Sequence, residues 1–465
     1  MSSTRRVSYE VQVGVIVAAG MAYVVGLGWA MANLSYDLWG ALVAVPLIAL
    51  VMVPLVARIF RSDRTIARVA YAGLALKLGG TIARYWVAFD AYGGAADSQD
   101  YHDRGRLLAA QIRDGSVGPW TIVPHGTGTD FIRNLTGSIY TVVGSSKLAG
   151  FLWFAALGYL GTLLCIKAAT LFGRTFDGHR YAILCVISPT LVFWPSSIGK
   201  ESWMMLCLGL TVFGAARLFT SGRIIRPLLW VAAGVAGAAF VRPHIAFIWV
   251  GAGVVGVLWS AIGSLAARSQ GRAPAVFATV VGIGGLFVVG NAALRFLPSG
   301  TGDDSLADRI TTAFDETLRR TSGGGSEFSP PGISSPLNYP GAILRTITRP
   351  LLFEANSIST LLPALETTAL ILLALVSIRR LARLPGLLRR SPFVVMHFLI
   401  IIVTALAYTT FSNLAILVRQ RSLLMPSLLL LLAVQPRPQQ RFGQPAAAPA
   451  AAASGTPTAS PGRAR

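Results

Sequence analysis

The run Arg68-Val-Ala-Tyr-Ala-Gly-Leu-Ala-Leu-Lys77-Leu-Gly-Gly-Thr-Ile-Ala-Arg84-Tyr-Trp-Val-Ala-Phe89 passes directly into Asp90-Ala-Tyr-Gly-Gly-Ala-Ala-Asp97-Ser-Gln-Asp100-Tyr101-His102-Asp103-Arg104-Gly105. A bilayer core about 30 Å thick takes roughly 20 apolar residues as one helix, and the first part supplies that length. The second part places four aspartates just beyond the span. The whole chain holds only 19 acidic residues in 465. Most of its bulk is therefore scaffold, and carboxylates gathered at a membrane surface are the first place to look for chemistry.

Outward from this junction the same pattern recurs. The chain is 54% hydrophobic and 13% charged, with a mean hydropathy of +0.61, too apolar for a soluble protein of this length. Apolar windows fall near residues 11–32, 38–59, 68–89, 148–171, 180–197, 203–219, 227–241, 244–265, 274–295, 357–378, 392–411 and 414–434. The 227–241 window is short enough for a half-helix or re-entrant piece. These runs are continuous rather than alternating, which excludes a membrane β-barrel. The expected fold is all-α: a polytopic transmembrane bundle of about twelve helices with interfacial helices on the extracytoplasmic side. The first span is long and has no distinct small-residue cleavage site, so it is not read as a cleaved signal peptide.

The net charge of +21 reads as orientation rather than nucleic-acid binding. Arg58, Arg61, Arg64 and Arg68, then Arg174 and Arg180, Arg223 and Arg226, Arg268 and Arg272, and finally Arg379, Arg380, Arg383, Arg389 and Arg390 fall in connections on one side, with both termini. By the positive-inside rule that side is cytoplasmic, making this a multi-pass protein of the plasma (inner) membrane with both termini inside. Only Glu10, Asp63 and Asp177 among the acids fall there. Cys165, Cys185 and Cys207 lie inside apolar spans and read as inert small hydrophobes. No Walker A sequence or zinc-type Cys/His spacing occurs, and no internal repeat is visible.

The chain divides into N-terminal membrane helices (1–89), an extracytoplasmic acidic loop with an amphipathic helix (90–147), central membrane helices (148–295), a second outer loop (296–356), C-terminal membrane helices (357–435) and a Pro/Ala/Ser/Gly-rich cytoplasmic tail (436–465), expected to be disordered. In the first loop Leu107, Leu108 and Ile112 share one helical face, which suits a helix lying in the interface. In the second, Ile310, Phe314 and Leu318 recur at four-residue spacing, followed by a flexible Ser322–Ser326 and Pro330-Pro331 stretch.

Candidate site residues come from charge in an apolar setting. Lys200 and Glu201 follow Phe193-Trp194-Pro195-Ser196-Ser197-Ile198-Gly199; Arg242 and His244 interrupt another apolar stretch; Arg419 and Arg421 lie near the outer end of the last span. Charges at such depth are costly unless paired or hydrated, and they line cavities or contact anions. Local pairing of Lys200 with Glu201, or snorkelling to the interface, is the plainer alternative. Asp97 or Asp100 also suits a helix N-cap. Asp100, His102 and Asp103 could together hold a divalent cation, although their spacing matches no defined metal motif.

An acidic motif beyond an early span, an interfacial helix and many membrane helices resemble the GT-C class of polyprenyl-phosphate-sugar-dependent glycosyltransferases and related bacterial polysaccharide-assembly membrane proteins. The stretches Phe193–Glu201, Arg349-Pro350-Leu351-Leu352-Phe353-Glu354-Ala355, Leu365-Glu366, and Arg419-Gln420-Arg421 with Pro426 carry the likeness, which covers roughly residues 68–434. The acidic loop here follows the third span rather than the first. The resemblance implies a lipid-linked sugar donor, a saccharide acceptor and a cell-envelope role, with a carboxylate as base and cations on the departing phosphate. Asp97 is the expected general base, then Asp100 and Asp90. Tyr101, His102, Lys200, Glu201, Arg242, His244, Arg349, Glu354, Arg419 and Arg421 are the expected binding groups. A transporter or flippase of a lipid-linked saccharide is the other reading, whose signature would be ionisable residues at mid-depth such as Lys77 and Arg84.

Overall fold

The computed structural model describes residues 3–91, 93–94, 96–266, 272–295, 305–322, 327–330, 335–355 and 358–436. The expected loop at 323–326, Pro331 and the tail from 437 onward lie outside them. The described residues form helices and no named strand, with only isolated bridges Phe176 to Val434 and Glu327 to Asn413.

Three helices open the chain: α1 (Ser3–Asn33), α2 (Tyr36–Ile59) and α3 (Arg64–Trp86). The carboxylate of Asp63 accepts from Thr65 N and Ile66 N and so caps α3. Two shorter helices follow, α4 (Asp97–Arg113) and α5 (Thr129–Val143). The central set is α6 (Lys147–Thr170), α7 (Gly178–Ile187), α8 (Pro189–Phe193), α9 (Lys200–Thr220), α10 (Ile225–Val241), α11 (Pro243–Ala266) and α12 (Arg272–Leu294). The segment after α12 carries α13 (Leu306–Thr321), started by a Ser305/Asp308 capping box, and α14 (Tyr339–Thr348). The last set is α15 (Ile358–Val376), α16 (Ile378–Leu381), α17 (Leu384–Arg390), α18 (Pro392–Ala407), α19 (Leu414–Arg421) and α20 (Met425–Leu432).

Among the described residues six helices are long and apolar enough to cross a membrane, or up to eight if each of two bent pairs is one span. The bends are 67° between Val376 and Ile378 and 66° between Arg421 and Met425. Twelve apolar windows do not yield twelve long helices, for two reasons. The 180–197 window breaks at Ser188-Pro189, because proline lacks an N–H and its ring disfavours helical backbone at the preceding residue; Ser188 is extended, at φ −61° and ψ 114°. The second reason is α10, Ile225–Val241, which at 17 residues falls short of the usual crossing length of about 20 residues.

The connections gather at two ends. At the arginine-rich end, His179 Nε2 meets Asp63 Oδ2 at 3.2 Å, Arg180 donates to Ser377 Oγ at 2.6 Å, and Asp177 N donates to Ala433 O at 2.8 Å. These contacts tie residues 63, 177–180, 377 and 433 into one layer. At the acidic end, Lys147 N donates to Asp37 Oδ1 at 2.6 Å and Lys147 Nζ to Gln99 Oε1 at 3.0 Å. Between the ends α6 and α9 are both largely buried. A Cβ on Gly209 would stand 2.3 Å from Gly161 O, and one on Gly161 would stand 2.1 Å from Met205 O. The two backbones touch directly, as small residues permit between apolar helices.

The outer helices α4 and α5 form a hairpin of their own. Of the face expected from Leu107, Leu108 and Ile112, Leu107 is exposed and Leu108 lies against Gly137, while Ser98, Tyr101, His102, Gly105 and Ala109 are buried. The two helices approach closely at Gly105, where a Cβ would lie 2.6 Å from Thr136 Cγ2. The hairpin thus packs through Gly105 and Gly137 and leaves Leu107 exposed.

Three buried charges, Lys77 and Glu366 within long helices and Arg421 at a helix break, each attach to backbone or hydroxyl groups. Lys77 Nζ donates to Leu191 O at 2.7 Å, at the C-terminal end of α8. At its other end Glu366 accepts from Ser188 Oγ at 2.6 Å, from Thr190 N at 3.2 Å and from the Thr190 hydroxyl. Arg421 donates to Ile347 O at 2.9 Å, Arg349 O at 2.6 Å and Thr367 Oγ1 at 3.0 Å. Broken helices expose polar backbone that lipid cannot solvate, and these side chains supply its partners. Glu366→Leu should lower stability by about 2–3 kcal/mol by leaving buried donors unpaired, read as a lower Tm in detergent. Glu366→Gln keeps an acceptor and should lose less, and equal melting of the Leu variant and the parent would remove this bracing role.

Candidate functional site

The site begins where α9 begins. Residues 196–198 are buried and lead to Gly199, which precedes α9 without a side-chain cap. The positive end of a 21-residue helix therefore receives no bond from its cap residue. Glu201, in its first turn, is 2% exposed. A carboxylate buried so deeply stays charged only when cations surround it.

Two arginines do so. Pro243 starts α11, and the interruption between α10 and α11 puts Arg242 where its Nη2 reaches Glu201 Oε1 at 2.9 Å. Arg419, in the last turn of α19, approaches from the other side: its Nε is 2.9 Å from Glu201 Oε1 and its Nη2 is 3.1 Å from Oε2. The same Nη2 lies 2.9 Å from Asp97 Oδ2. Arg419 thus joins a buried carboxylate on a membrane helix to the Asp97 side chain, 57% exposed, on the outer hairpin.

Lys200 completes the group. Its Nζ donates to Thr129 Oγ1 at 3.0 Å, and Thr129 also contacts the Tyr101 hydroxyl. Thr129 is fixed because Gly128 N donates to Phe240 O at 2.7 Å and Phe131 stacks on Phe240 with centroids 5.3 Å apart. Gly128 takes φ +61°, a left-handed conformation that glycine adopts without strain. Burial, then the carboxylates of Asp97 and Glu201, push the Tyr101 pKa up, so its phenol stays protonated. Three cations (Lys200, Arg242, Arg419) face two carboxylates (Asp97, Glu201), leaving one net positive charge beside a helix N-terminus. Guanidinium and ammonium groups in that setting suit a phosphate.

Beside this cluster an open groove of about 690 Å³ runs along α4, lined by Asp97, Gln99, Asp100, Asp103, Arg104 and Leu107 among others. Asp97 therefore belongs to both the charge cluster and the groove. Asp97 is the first residue of α4 rather than its cap; Ala96 holds the cap position, with no side-chain cap bond. Asp97 and Asp100 are both engaged by arginines instead of by the backbone of the first turn.

The remaining expected residues are distributed elsewhere. Asp100 is held by Arg133, with Nε to Oδ2 at 2.8 Å and Nη2 to Oδ1 at 3.0 Å, and Arg133 also takes Asp130 at 2.7 Å. His102 turns inward, its Nδ1 2.7 Å from the Tyr140 hydroxyl. Asp103 accepts from Gln99 at 2.7 Å. The expected metal trio is thus split three ways, and no group of three metal-type ligands occurs among the described residues. Asp90 is exposed at the π-helical end of α3, outside the cluster, and His244 is exposed in the first turn of α11. Arg349 pairs with Glu354 at 3.0 Å, and Glu354 accepts from Leu351 N at 2.8 Å, a clamp within one loop. Arg421, expected beside Arg419, is instead fully buried and braces the end of α14 and Thr367 of α15. Thr129 and Arg133 lie outside the expected set: Arg133 meets Asp100 only in the folded hairpin, and Thr129 meets Lys200 only where α5 reaches the start of α9.

Two outcomes follow from this geometry. Glu201→Leu leaves Arg242 without its carboxylate and Arg419 with Asp97 alone, and should cost about 3–5 kcal/mol, while Arg419→Met with Glu201 intact should cost less, since Arg242 remains paired. Unfolding in detergent would measure both, and a Glu201→Leu variant as stable as the parent would refute the burial argument. Burial, with the Lys147 cation nearby, lowers the His102 pKa to about 4 from its ordinary 6.5. Between these values the unfolded chain takes up a proton that the folded chain refuses, so stability should fall as pH drops from 6.5 to 4. His102→Gln should flatten part of that slope in melting curves.

Compared with known proteins, the chain matches no family model, no curated protein and no solved structure.

Proposed function

We propose that this protein is an integral-membrane glycosyltransferase or polysaccharide polymerase of the GT-C type, serving cell-envelope polysaccharide assembly. In this reading it moves a sugar from a polyprenyl-phosphate-linked donor to a saccharide acceptor at the extracytoplasmic face of the plasma membrane. The observation that carries it is the Arg419 bridge: one guanidinium links Asp97, on the rim of an acidic groove, to the buried Glu201–Arg242 pair. A transferase of this kind needs a phosphate site and a base side by side, and this arrangement supplies both.

The chemistry follows from the groups. The donor phosphate competes for Lys200, Arg242 and Arg419, drawing Arg419 away from Asp97. The freed Asp97 carboxylate takes the proton of the acceptor hydroxyl as the new bond from its oxygen to the sugar anomeric carbon forms. The bond between the anomeric carbon and the phosphate oxygen breaks, and its electron pair leaves on that oxygen, whose charge the three cations hold. Glu201 keeps both guanidiniums oriented. Asp100 is fastened to Arg133 and Asp90 stands apart, which leaves Asp97 as the base. With the Ser188-Pro189 segment, α10, α11 and α12 each counted as a crossing, the bundle makes twelve passes. The arginine-rich end then faces the cytoplasm along with both termini.

The broken helices and the mid-depth charges Lys77, Glu366 and Arg421 favour the second reading, a transporter or flippase of a lipid-linked saccharide. Each of those charges is bonded to the protein's own backbone or hydroxyl groups, and this weighs toward the enzyme. Asp97→Asn keeps the shape and removes the basicity. It should fold, insert and lose about 10²-fold or more of sugar transfer in a reconstituted assay. Full transfer by Asp97→Asn would exclude Asp97 as the base, and unchanged lipid-linked saccharide flipping with no transfer by either protein would favour the transporter. A Ser116→Cys variant should be labelled by an impermeant reagent from outside intact cells; labelling only after permeabilisation would reverse the topology.

A further inference from the structure

At the arginine-rich end, the segment between α15 and α18 presents charge that the chain itself does not answer. Helices α16 and α17 turn away from α15 by 67° before Pro392 starts α18. Both flanking helices are apolar, so the turned segment lies at the level where their apolar surface ends. Leu384, Leu387 and Leu388 pack against the core, while Arg379, Arg389 and Arg390 are exposed. Leading up to them, Val376 is 83% exposed and Ile378 60%. An apolar flank thus gives way to arginine within a few residues, as it does at the border between acyl chains and headgroups. Trp259 of α11 marks the same border: it is 42% exposed, and its indole N–H donates to Arg389 O at 3.3 Å.

Other arginines hold the segment in place. Arg380 donates to Val434 O at 2.9 Å and lies 3.7 Å from Asp177, and Arg383 donates to Pro436 O at 3.0 Å. Arg379, Arg389 and Arg390 make no salt bridge among the described residues. The carboxylates described in this layer are already engaged: Asp63 caps α3 and meets His179, and Asp177 caps α7 and meets Arg380. Residues 436–465 contain no Asp or Glu, so that stretch supplies no acidic side chain either. Three exposed guanidiniums, two of them adjacent in the chain, therefore suit an anion from outside it.

We propose that α16 and α17 form a docking surface for the phosphate headgroups of anionic phospholipids, with Arg379, Arg389 and Arg390 as the contacts and Trp259 fixing the depth. The acyl chains lie along the exposed flank of Leu372, Leu375 and Val376. A zwitterionic headgroup carries its own cation and answers the arginines less well, and a soluble phosphate lacks the chains that the flank receives. Bound lipid braces the bend, and through Arg380 and Arg383 it also steadies the chain that leaves α20. This inference is independent of the glycosyltransferase reading.

The test uses the full chain in dodecyl maltoside micelles. Dioleoyl phosphatidylglycerol, dioleoyl phosphatidylcholine and glycerol phosphate are the probes, bound lipid is counted by native mass spectrometry, and Tm is followed alongside. Wild type should bind phosphatidylglycerol about 10-fold or more tightly than phosphatidylcholine and melt higher with it. The triple variant Arg379→Gln, Arg389→Gln, Arg390→Gln should lose about 10-fold or more of that binding, yet melt as wild type without lipid. A lower Tm without lipid would make the three arginines structural and overturn the proposal. Removing equal charge elsewhere at this end, by Arg58→Gln, Arg61→Gln and Arg64→Gln together, should leave binding nearly unchanged. Equal losses in the two triple variants would mean diffuse attraction to the whole basic end, and the docking surface would fall. Equal binding of phosphatidylcholine would refute the charge match, and equal protection by glycerol phosphate would refute the lipid as its source.

Discussion

A carboxylate placed almost wholly out of water at the start of a membrane helix constrains everything around it. Glu201 can remain ionised only with cations in contact, and the fold brings two from distant parts of the chain, Arg242 from a helix break and Arg419 from a short helix near the far end. Desolvating three charges together is tolerable only when the geometry is close and each side chain is held. That requirement accounts for the proline-fixed break at Pro243, for the short α19, and for the roof contributed by α5 above Lys200.

A second constraint runs through the middle of the bundle. Helices that break inside an apolar medium expose carbonyl and amide groups, and the chain answers each break with a long charged side chain. Lys77 and Glu366 sit at opposite ends of the five-residue α8, matching the sign of each helix end: the cation at the carbonyl end, the anion at the amide end. The irregular Trp194–Gly199 segment that follows delivers Lys200 and Glu201 to the outer level. The bracing of α8 and the placement of the site are thus one structural problem solved in sequence.

Much of this was legible in the residues. Continuous apolar windows announced a helical membrane protein, and the scarcity of lysine and carboxylate drew the eye to Asp97, Lys200, Glu201, Arg242 and Arg419, which do meet. Window averages hid the break at Ser188-Pro189, since one proline scarcely changes the mean of eighteen residues. The pairing of Arg419 with Arg421 erred for a reason available in advance: residues two apart on a helix point to different sides, and here one faces Glu201 while the other faces α14. The Asp100–Arg133 link and the inward turn of His102 depend on how α4 meets α5. That meeting is set by Gly105 and Gly137, and helical periodicity carries no trace of it.

The hairpin of α4 and α5 has a consequence for how such a protein can change over time. Its two helices pack on each other through small residues, and the groove includes the exposed Arg104 and Leu107 of α4. Arg104 and Leu107 can therefore vary, altering what the groove accepts, while Glu201, Arg242 and Arg419 are locked together by mutual charge and can change only in concert. Variation in this molecule should accumulate unevenly, with the groove drifting freely around a nearly immobile ionic centre, and new acceptor preferences arising by substitution on one small surface element rather than by rebuilding the membrane scaffold.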